Sequence, residues 1–219
     1  MLVITVLETK NKDGSDYIYL KAVLNNFYEL RGTGIAIKPV FMNGKGNYKI
    51  VQKNIKKLCN EYQGIHKVIY FFDVDSTSIN YDQKQLNEEI VEYCNQNSYE
   101  IIWFKKTIEH VLINEVITRN KPKIAEDFYK KNKIIQINFK DLKCKNYNEL
   151  KEKQSNVLDV LDKYLIKKKW LNSLLFIFNM YIPYIIYKIT RICVNDKINM
   201  TKFIQISKVV YRQMIKKMI

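Results

Sequence analysis

The chain has 219 residues, a net charge of +15 and 47% hydrophobic residues, which is typical of a folded protein rather than a disordered one. This length fits one domain, or one domain with an appendage. The four cysteines lie far apart without a Cys-x-x-Cys pair, so they form neither a zinc pattern nor a disulfide framework. No basic and apolar leader begins the chain, and we therefore expect a cytoplasmic protein.

The excess of positive over negative charge is confined to the second half of the chain. Residues 1–100 carry 12 Lys and Arg against 12 Asp and Glu, whereas residues 101–219 carry 25 against 10. This asymmetry predicts nucleic acid, or another anionic surface, as the partner. An AT-rich genome also raises the Lys content, but such a bias would not confine the excess to one half.

Apolar runs alternate with helical segments along the first half of the chain. Four runs predict strands, over residues 2–7, 35–42, 67–72 and 99–104. Asp16 is predicted to cap the first helix, Pro39 indicates a sheet edge, and a helix is expected over 107–117. Residues 133–139 predict one more strand. The alternation predicts an α/β fold, in which helices flank a mostly parallel, Rossmann-like sheet.

The last part of the chain differs in character. Residues 170–187 are almost wholly apolar, and residues 200–219 predict a basic amphipathic helix. A transmembrane segment is one interpretation of 170–187, but Asn, Ser and Pro residues interrupt it, and we expect no integral membrane segment. We divide the chain into an α/β domain over 1–150 and a basic helical appendage over 151–219.

Carboxylates follow two of the predicted strands. Asp73 and Asp75 stand one residue apart at the end of an apolar run, and Glu8 follows the first strand. Parallel strands bring their carboxyl ends to one rim of the sheet, so we expect these groups to lie together. Three carboxylates suit Mg²⁺ or Mn²⁺, which can polarise a phosphodiester and activate water. With the basic second half, this predicts cleavage of a nucleic-acid backbone, DNA or RNA.

The order of Glu8, then Asp73-x-Asp75, resembles the Toprim domain of topoisomerases, bacterial primases and several nucleases. The resemblance covers roughly residues 1–115. It implies a Toprim-like sheet and an Mg²⁺-dependent nuclease, with Glu8, Asp73 and Asp75 as the catalytic metal ligands. The chain departs from the family pattern at Thr9, where a Gly usually follows the Glu.

A second segment resembles RloB-like and OLD-type abortive-infection Toprim proteins. There, as in residues 99–113, a strand precedes a helix that carries an acidic residue, here Glu109. This likeness implies a role in anti-phage defence and makes Glu109 a further candidate metal ligand. A solvated helix residue is the alternative for Glu109. No P-loop is present, so an ATPase partner would be a separate chain.

Lysines of the second half are candidates for contact with the nucleic-acid backbone, and a solvated surface is the alternative for each. These are Lys105, Lys106, Lys167, Lys168 and Lys169.

The segment from Asp73 to Thr77 also permits other interpretations. It fits the Asp-x-Asp-x-Thr pattern of haloacid-dehalogenase-like phosphatases, with Asp73 as nucleophile and Asp75 as general acid. No Gly-Asp-x-x-x-Asp follows it, which ranks this interpretation lower. Asp73 and Asp75 could instead form an Asx turn that caps the next helix. A further alternative is a non-catalytic module that binds nucleic acid or a protein partner on a degenerate Toprim scaffold.

Overall fold

Four parallel strands form a sheet in the part of the chain that the structure describes. The computed structural model describes residues 1–74, 81–144, 151 and 153–168. Within these ranges the order of the sheet is β2-β1-β3-β4. The strands are β1 Leu2–Leu7, β2 Ala36–Phe41, β3 His66–Val74 and β4 Glu100–Lys105. The predicted α/β class, with helices flanking a parallel sheet, is confirmed.

The two central strands differ in length, and this difference shapes the site. All of β1 is buried, because helices cover both faces of the sheet. Pairing between β1 and β3 ends where Val6 lies opposite Tyr70, whereas β3 continues to Val74. The edge position predicted from Pro39 is confirmed, since β2 is an outer strand.

Helices lie on both faces of the sheet. They are α1 Ser15–Phe27, α2 Gln52–Glu61, α3 Tyr81–Gln96, α4 Ile108–Ile113, α5 Lys121–Lys130 and α6 Val157–Leu161. Two predicted boundaries are wrong. Gly14 is the N-cap of α1, and Asp16 lies in the first turn instead. The helix expected over 107–117 ends at Ile113, because Asn114 takes a left-handed conformation with φ 67°.

The strand predicted over residues 133–139 is wrong. Short 3₁₀ turns occupy Lys133–Gln136 and Phe139–Leu142 instead. The Phe139 ring packs edge-on against Phe27 of α1, with ring centroids 5.1 Å apart. The apolar run therefore packs on a helix rather than joining the sheet. Periodicity does not separate these outcomes in so short a run.

The core has one part on each face of the sheet. On the face covered by α2 and α3, the rings of Tyr70 and Phe72 stack with centroids 5.6 Å apart. On the other face α1 meets α5, where Tyr19 and Phe128 form an edge-to-face pair with centroids 5.3 Å apart. These large rings bury much apolar surface and fix the helices against the strands.

The described end of the chain packs against β4. The Asn156 side chain accepts a hydrogen bond from the Trp103 N–H at 2.8 Å and donates one to the Ile101 carbonyl at 2.9 Å. Met1–Lys168 accordingly forms one compact unit. The boundary near residue 150 and the helical appendage beyond it stay predictions.

Several predictions about the C-terminal part concern residues that lie outside the described ranges of the structure. Both the apolar stretch 170–187 and the basic helix predicted over 200–219 belong to this group. In the part of the chain that the structure does describe, no helix has the length and apolar character needed to cross a membrane.

Candidate active site at the carboxyl end of the sheet

Glu8 and Asp73 meet where β1 and β3 end. β1 ends before β3, so the Asp73 N–H has no β1 carbonyl opposite it and bonds to a side chain instead. The Glu8 Oε1 atom accepts a hydrogen bond from the Asp73 N–H at 2.9 Å. The negative charge of the acceptor strengthens this bond relative to a neutral pair. The topology thus brings together two carboxylates from separate strands.

The Asp73 side chain faces the start of α4. Its Oδ1 atom accepts a hydrogen bond from the Ile108 N–H at 2.9 Å, so it satisfies an amide of the first helical turn. Capping of a helix was one alternative for this residue, and the described helix whose amide it satisfies is α4. Asp75 lies outside the described residues, and its place beside Asp73 stays a prediction.

A small pocket adjoins the two carboxylates. Its volume of about 10 Å³ is close to the space that one water molecule or small ion needs. Its lining residues are Glu8, Asp16, Phe71, Asp73, Phe104 and Ile108. The sequence prediction had missed Asp16 as a site residue. The signal for it was its position in the first turn of the helix that follows Glu8.

The environment of Asp16 favours its protonated form. Burial raises the pKa of the Asp16 carboxyl, and the negative charge of Glu109 also raises it. A hydrogen bond from the Ser15 hydroxyl, 3.0 Å from Asp16 Oδ1, and the positive charge of Lys121 act in the opposite direction. The net shift of the pKa is upward, because burial removes water that would stabilise the carboxylate.

Glu109 is a buried member of an ion pair. Its side chain is 0% exposed, and the Lys121 ammonium lies 3.3 Å from each carboxylate oxygen. The alternative that Glu109 is solvated is therefore wrong, because α4 directs this side chain toward α1 and α5. Glu109 is not one of the residues that line the pocket, and its role as a metal ligand stays a prediction.

Lys45 places a buried positive charge at the same rim. It lies in the 3₁₀ turn Lys45–Asn47 after β2, and its ammonium donates a hydrogen bond to the Asp73 carbonyl. The ammonium stands 5.9 Å from the centre of the Phe72 ring. The sequence showed only a turn between two glycines here. No local pattern reveals that a turn after an edge strand reaches across β1 to β3.

The candidate nucleic-acid-binding lysines that the structure describes lie in two separate places. Lys105 and Lys106 lie at the end of β4, on the rim that carries the pocket. Lys167 and Lys168 lie beside the last turn of α1, where the Lys168 N–H donates to the carbonyl of the last helical residue at 3.0 Å. A helix of 13 residues is about 20 Å long, so this pair is remote from the pocket. Lys169 lies outside the described residues, and nucleic-acid binding by all five stays a prediction.

The rim offers carboxylate oxygens, which are the donor type that divalent cations such as Mg²⁺ prefer. Glu8 and Asp73 offer carboxylate oxygens, and Mg²⁺ often takes only one or two protein carboxylates when water and substrate phosphate complete its shell. Among residues 1–74, 81–144, 151 and 153–168, no group of three His, Cys, Asp or Glu side chains could hold a metal ion. A third ligand would therefore have to come from elsewhere, with Asp75 as the sequence candidate.

Gly14→Ala is expected to disturb the pocket through the loop beside it. A Cβ at Gly14 would lie 1.5 Å from the Thr9 Oγ1 and 2.6 Å from the Thr9 Cβ, so the backbone would have to move. Thr9 follows Glu8 directly, and the loop leads into α1. We expect the free energy of unfolding to fall by about 1–3 kcal/mol, measured by urea denaturation.

Two further variants test the cause of that loss. Adding Thr9→Gly to Gly14→Ala removes the clash and should restore most of the stability. Gly46→Ala is the matched control, since an added Cβ there meets no described atom within 4 Å. Equal stability of Gly14→Ala and the natural chain would contradict the predicted clash.

Comparisons with known proteins do not establish a family. No protein-family model matches the chain, and no curated protein matches it. Among solved structures, a de novo designed Rossmann fold protein matches 59% of this chain and 94% of its own length, at 12% identity and a TM-score of 0.27. A likeness at that score carries no argument. The fold described above rests on the order and direction of the strands.

Proposed function

We propose that this chain is a metal-dependent nuclease of the Toprim type, which hydrolyses phosphodiesters of nucleic acid. The hydrogen bond between Glu8 Oε1 and the Asp73 N–H carries the proposal, because it holds two carboxylates at the carboxyl rim of a parallel sheet. Ligands bind at this rim in open α/β folds. The surplus of positive charge in residues 101–219 supports a polyanionic substrate.

Each residue of the site has a distinct part in this proposal. Glu8 and Asp73 would hold Mg²⁺ or Mn²⁺, which supplies polarisation of the phosphodiester and a more acidic bound water. The Ile108 N–H fixes the orientation of the Asp73 carboxylate at 2.9 Å. Phe71 and Phe104 give the pocket apolar walls that limit the approach of bulk water. Lys105 and Lys106 would meet the nucleic-acid backbone on the same rim.

The resemblance to RloB-like and OLD-type Toprim proteins adds a biological role to the proposal. It supports a role in anti-phage defence within the cytoplasm. An ATPase that regulates cleavage would then be a separate chain.

The test is cleavage of labelled DNA and RNA by the purified full chain, with Mg²⁺, Mn²⁺ or a chelator. We expect cleavage with either metal and none with the chelator. Asp73→Asn keeps an acceptor for the Ile108 N–H but removes the charge, and should reduce the rate by about a hundredfold or more. Glu61→Gln changes an exposed carboxylate of α2 that pairs with the likewise exposed Lys57 at 3.8 Å, and serves as the control.

Two results would overturn the nuclease proposal. Binding of nucleic acid that weakens with salt, without cleavage and without any effect of Asp73→Asn, would indicate a non-catalytic binding module. Release of phosphate from monoesters, with a phosphoryl group trapped on Asp73, would indicate a phosphatase of the haloacid-dehalogenase type.

A further inference from the structure

The turn that carries Lys45 is fastened to the end of β1. The Met42 N–H donates to the Leu7 carbonyl at 2.8 Å, and the Gly44 N–H donates to the Glu8 carbonyl at 2.8 Å. Gly44 has φ 109°, a backbone conformation that glycine adopts without strain. The chain can therefore leave the sheet edge and return over β1, which brings Lys45 to the rim.

The charge of Lys45 is buried against the backbone of Asp73, outside the residues that line the pocket. The residue is only 8% exposed, and burial of an ammonium is costly without hydrogen-bond partners. Within the described ranges its contacts are one hydrogen bond to the Asp73 carbonyl and the face of the Phe72 ring. An ammonium has three N–H donors, so this group can donate further bonds.

A pair of carboxylates alone would repel a phosphate group. A fixed positive charge beside them offsets this repulsion and favours an anion with several oxygen acceptors. Lys45 contacts the backbone of Asp73 on its carbonyl, while Glu8 contacts the same residue on its N–H. The cation and the carboxylate are thus held by a single residue of β3, and their relative position is set by the fold.

We propose that the Lys45 ammonium binds a non-bridging oxygen of the phosphodiester that is cleaved. This inference rests on the proposed nuclease function and identifies the phosphate-binding residue of that site. Lysine suits the role because its compact charge can donate to a phosphate oxygen while one N–H remains on the Asp73 carbonyl.

The experiment uses bis(4-nitrophenyl) phosphate, a phosphodiester without bases or sugar, so that only contacts near the phosphate matter. The full chain is compared as Lys45→Met, Lys45→Arg and the control Lys49→Met, an exposed lysine of the same loop. Three quantities are measured: kcat/KM with Mn²⁺, the affinity for inorganic phosphate, and the affinity for Mn²⁺ by calorimetry.

We expect Lys45→Met to lower both kcat/KM and the affinity for inorganic phosphate by about tenfold or more, since a hydrogen bond to a charged group is lost. The affinity for Mn²⁺ should stay within about twofold, as should all values for Lys49→Met. Lys45→Arg keeps the charge and should lie between Lys45→Met and the natural chain.

The results that would contradict the role of Lys45 differ from those that would contradict the nuclease proposal. Hydrolysis and phosphate binding that ignore Lys45→Met would overturn the inference and leave the nuclease standing. A loss of Mn²⁺ affinity as large as the loss of phosphate affinity would also overturn it, because Lys45 would then act only through Asp73. If the natural chain hydrolyses no diester, the nuclease proposal fails. A loss of phosphate binding with Lys45→Met would then support Lys45 only as a phosphate-binding residue, without a part in cleavage.

Discussion

Glu8→Gln is expected to reduce metal-dependent cleavage by about a hundredfold or more while the protein stays folded. In the natural chain the Asp73 N–H donates to Glu8 Oε1 at 2.9 Å, and the glutamine keeps an oxygen that can accept this hydrogen bond. It lacks the negative charge that a divalent cation requires. Cleavage rates, Mn²⁺ affinity and urea denaturation of the same preparation measure the separate effects.

Glu8→Ala provides the matched comparison. Alanine removes both the charge and the acceptor, so the Asp73 N–H loses its partner at the end of β1. The free energy of unfolding should then fall by about 1–3 kcal/mol relative to Glu8→Gln. Cleavage at the natural rate by Glu8→Gln would contradict a metal-binding role. Equal destabilisation by the two variants would show that the hydrogen bond contributes little to the fold.

Lys121→Met is expected to lower the free energy of unfolding by about 3 kcal/mol, because it leaves the Glu109 carboxylate buried without its ion-pair partner. Lys121 lies 3.3 Å from Glu109, whose side chain is 0% exposed. Lys130→Met is the control, since Lys130 pairs with an exposed Glu126 at 2.6 Å and solvent screens that pair, so its loss should cost little stability. Urea denaturation measures both losses.

A second substitution tests whether the buried charge is the cause. Glu109→Gln in the Lys121→Met background removes the charge and should recover part of the lost stability. The double-mutant cycle then gives the coupling between the two side chains. A coupling near zero, or equal losses for Lys121→Met and Lys130→Met, would show that the Lys121 charge does not stabilise buried Glu109.

The sheet could be predicted because its strands carry strong local signals. Residues 2–7 are apolar except for Thr5, and Pro39 excludes a central position for its strand. The meeting of Glu8 and Asp73 could also be anticipated, since parallel strands share one carboxyl rim. These inferences need only strand order and direction, not side-chain packing.

The remaining features depend on contacts distant in sequence. Residues 133–139 have the apolar content of a strand, but their position follows from packing against α1. Lys45 and Asp16 belong to a turn and a helix start that look ordinary in the sequence. Their importance appears only when the end of β1 and the start of α4 are placed beside them.

Because β1 ends early, the backbone of residue 73 is held by contacts that do not involve its own side chain. Glu8 and Lys45 both bond to backbone atoms of Asp73, so neither contact depends on which side chain stands there. Under the proposed function, a natural replacement of Asp73 by Asn, which keeps an acceptor for the Ile108 N–H, would remove most of the catalysis and leave the surrounding architecture in place. Inactive descendants that retain the shape of the rim, and with it a binding surface, are an evolutionary route that this scaffold leaves open.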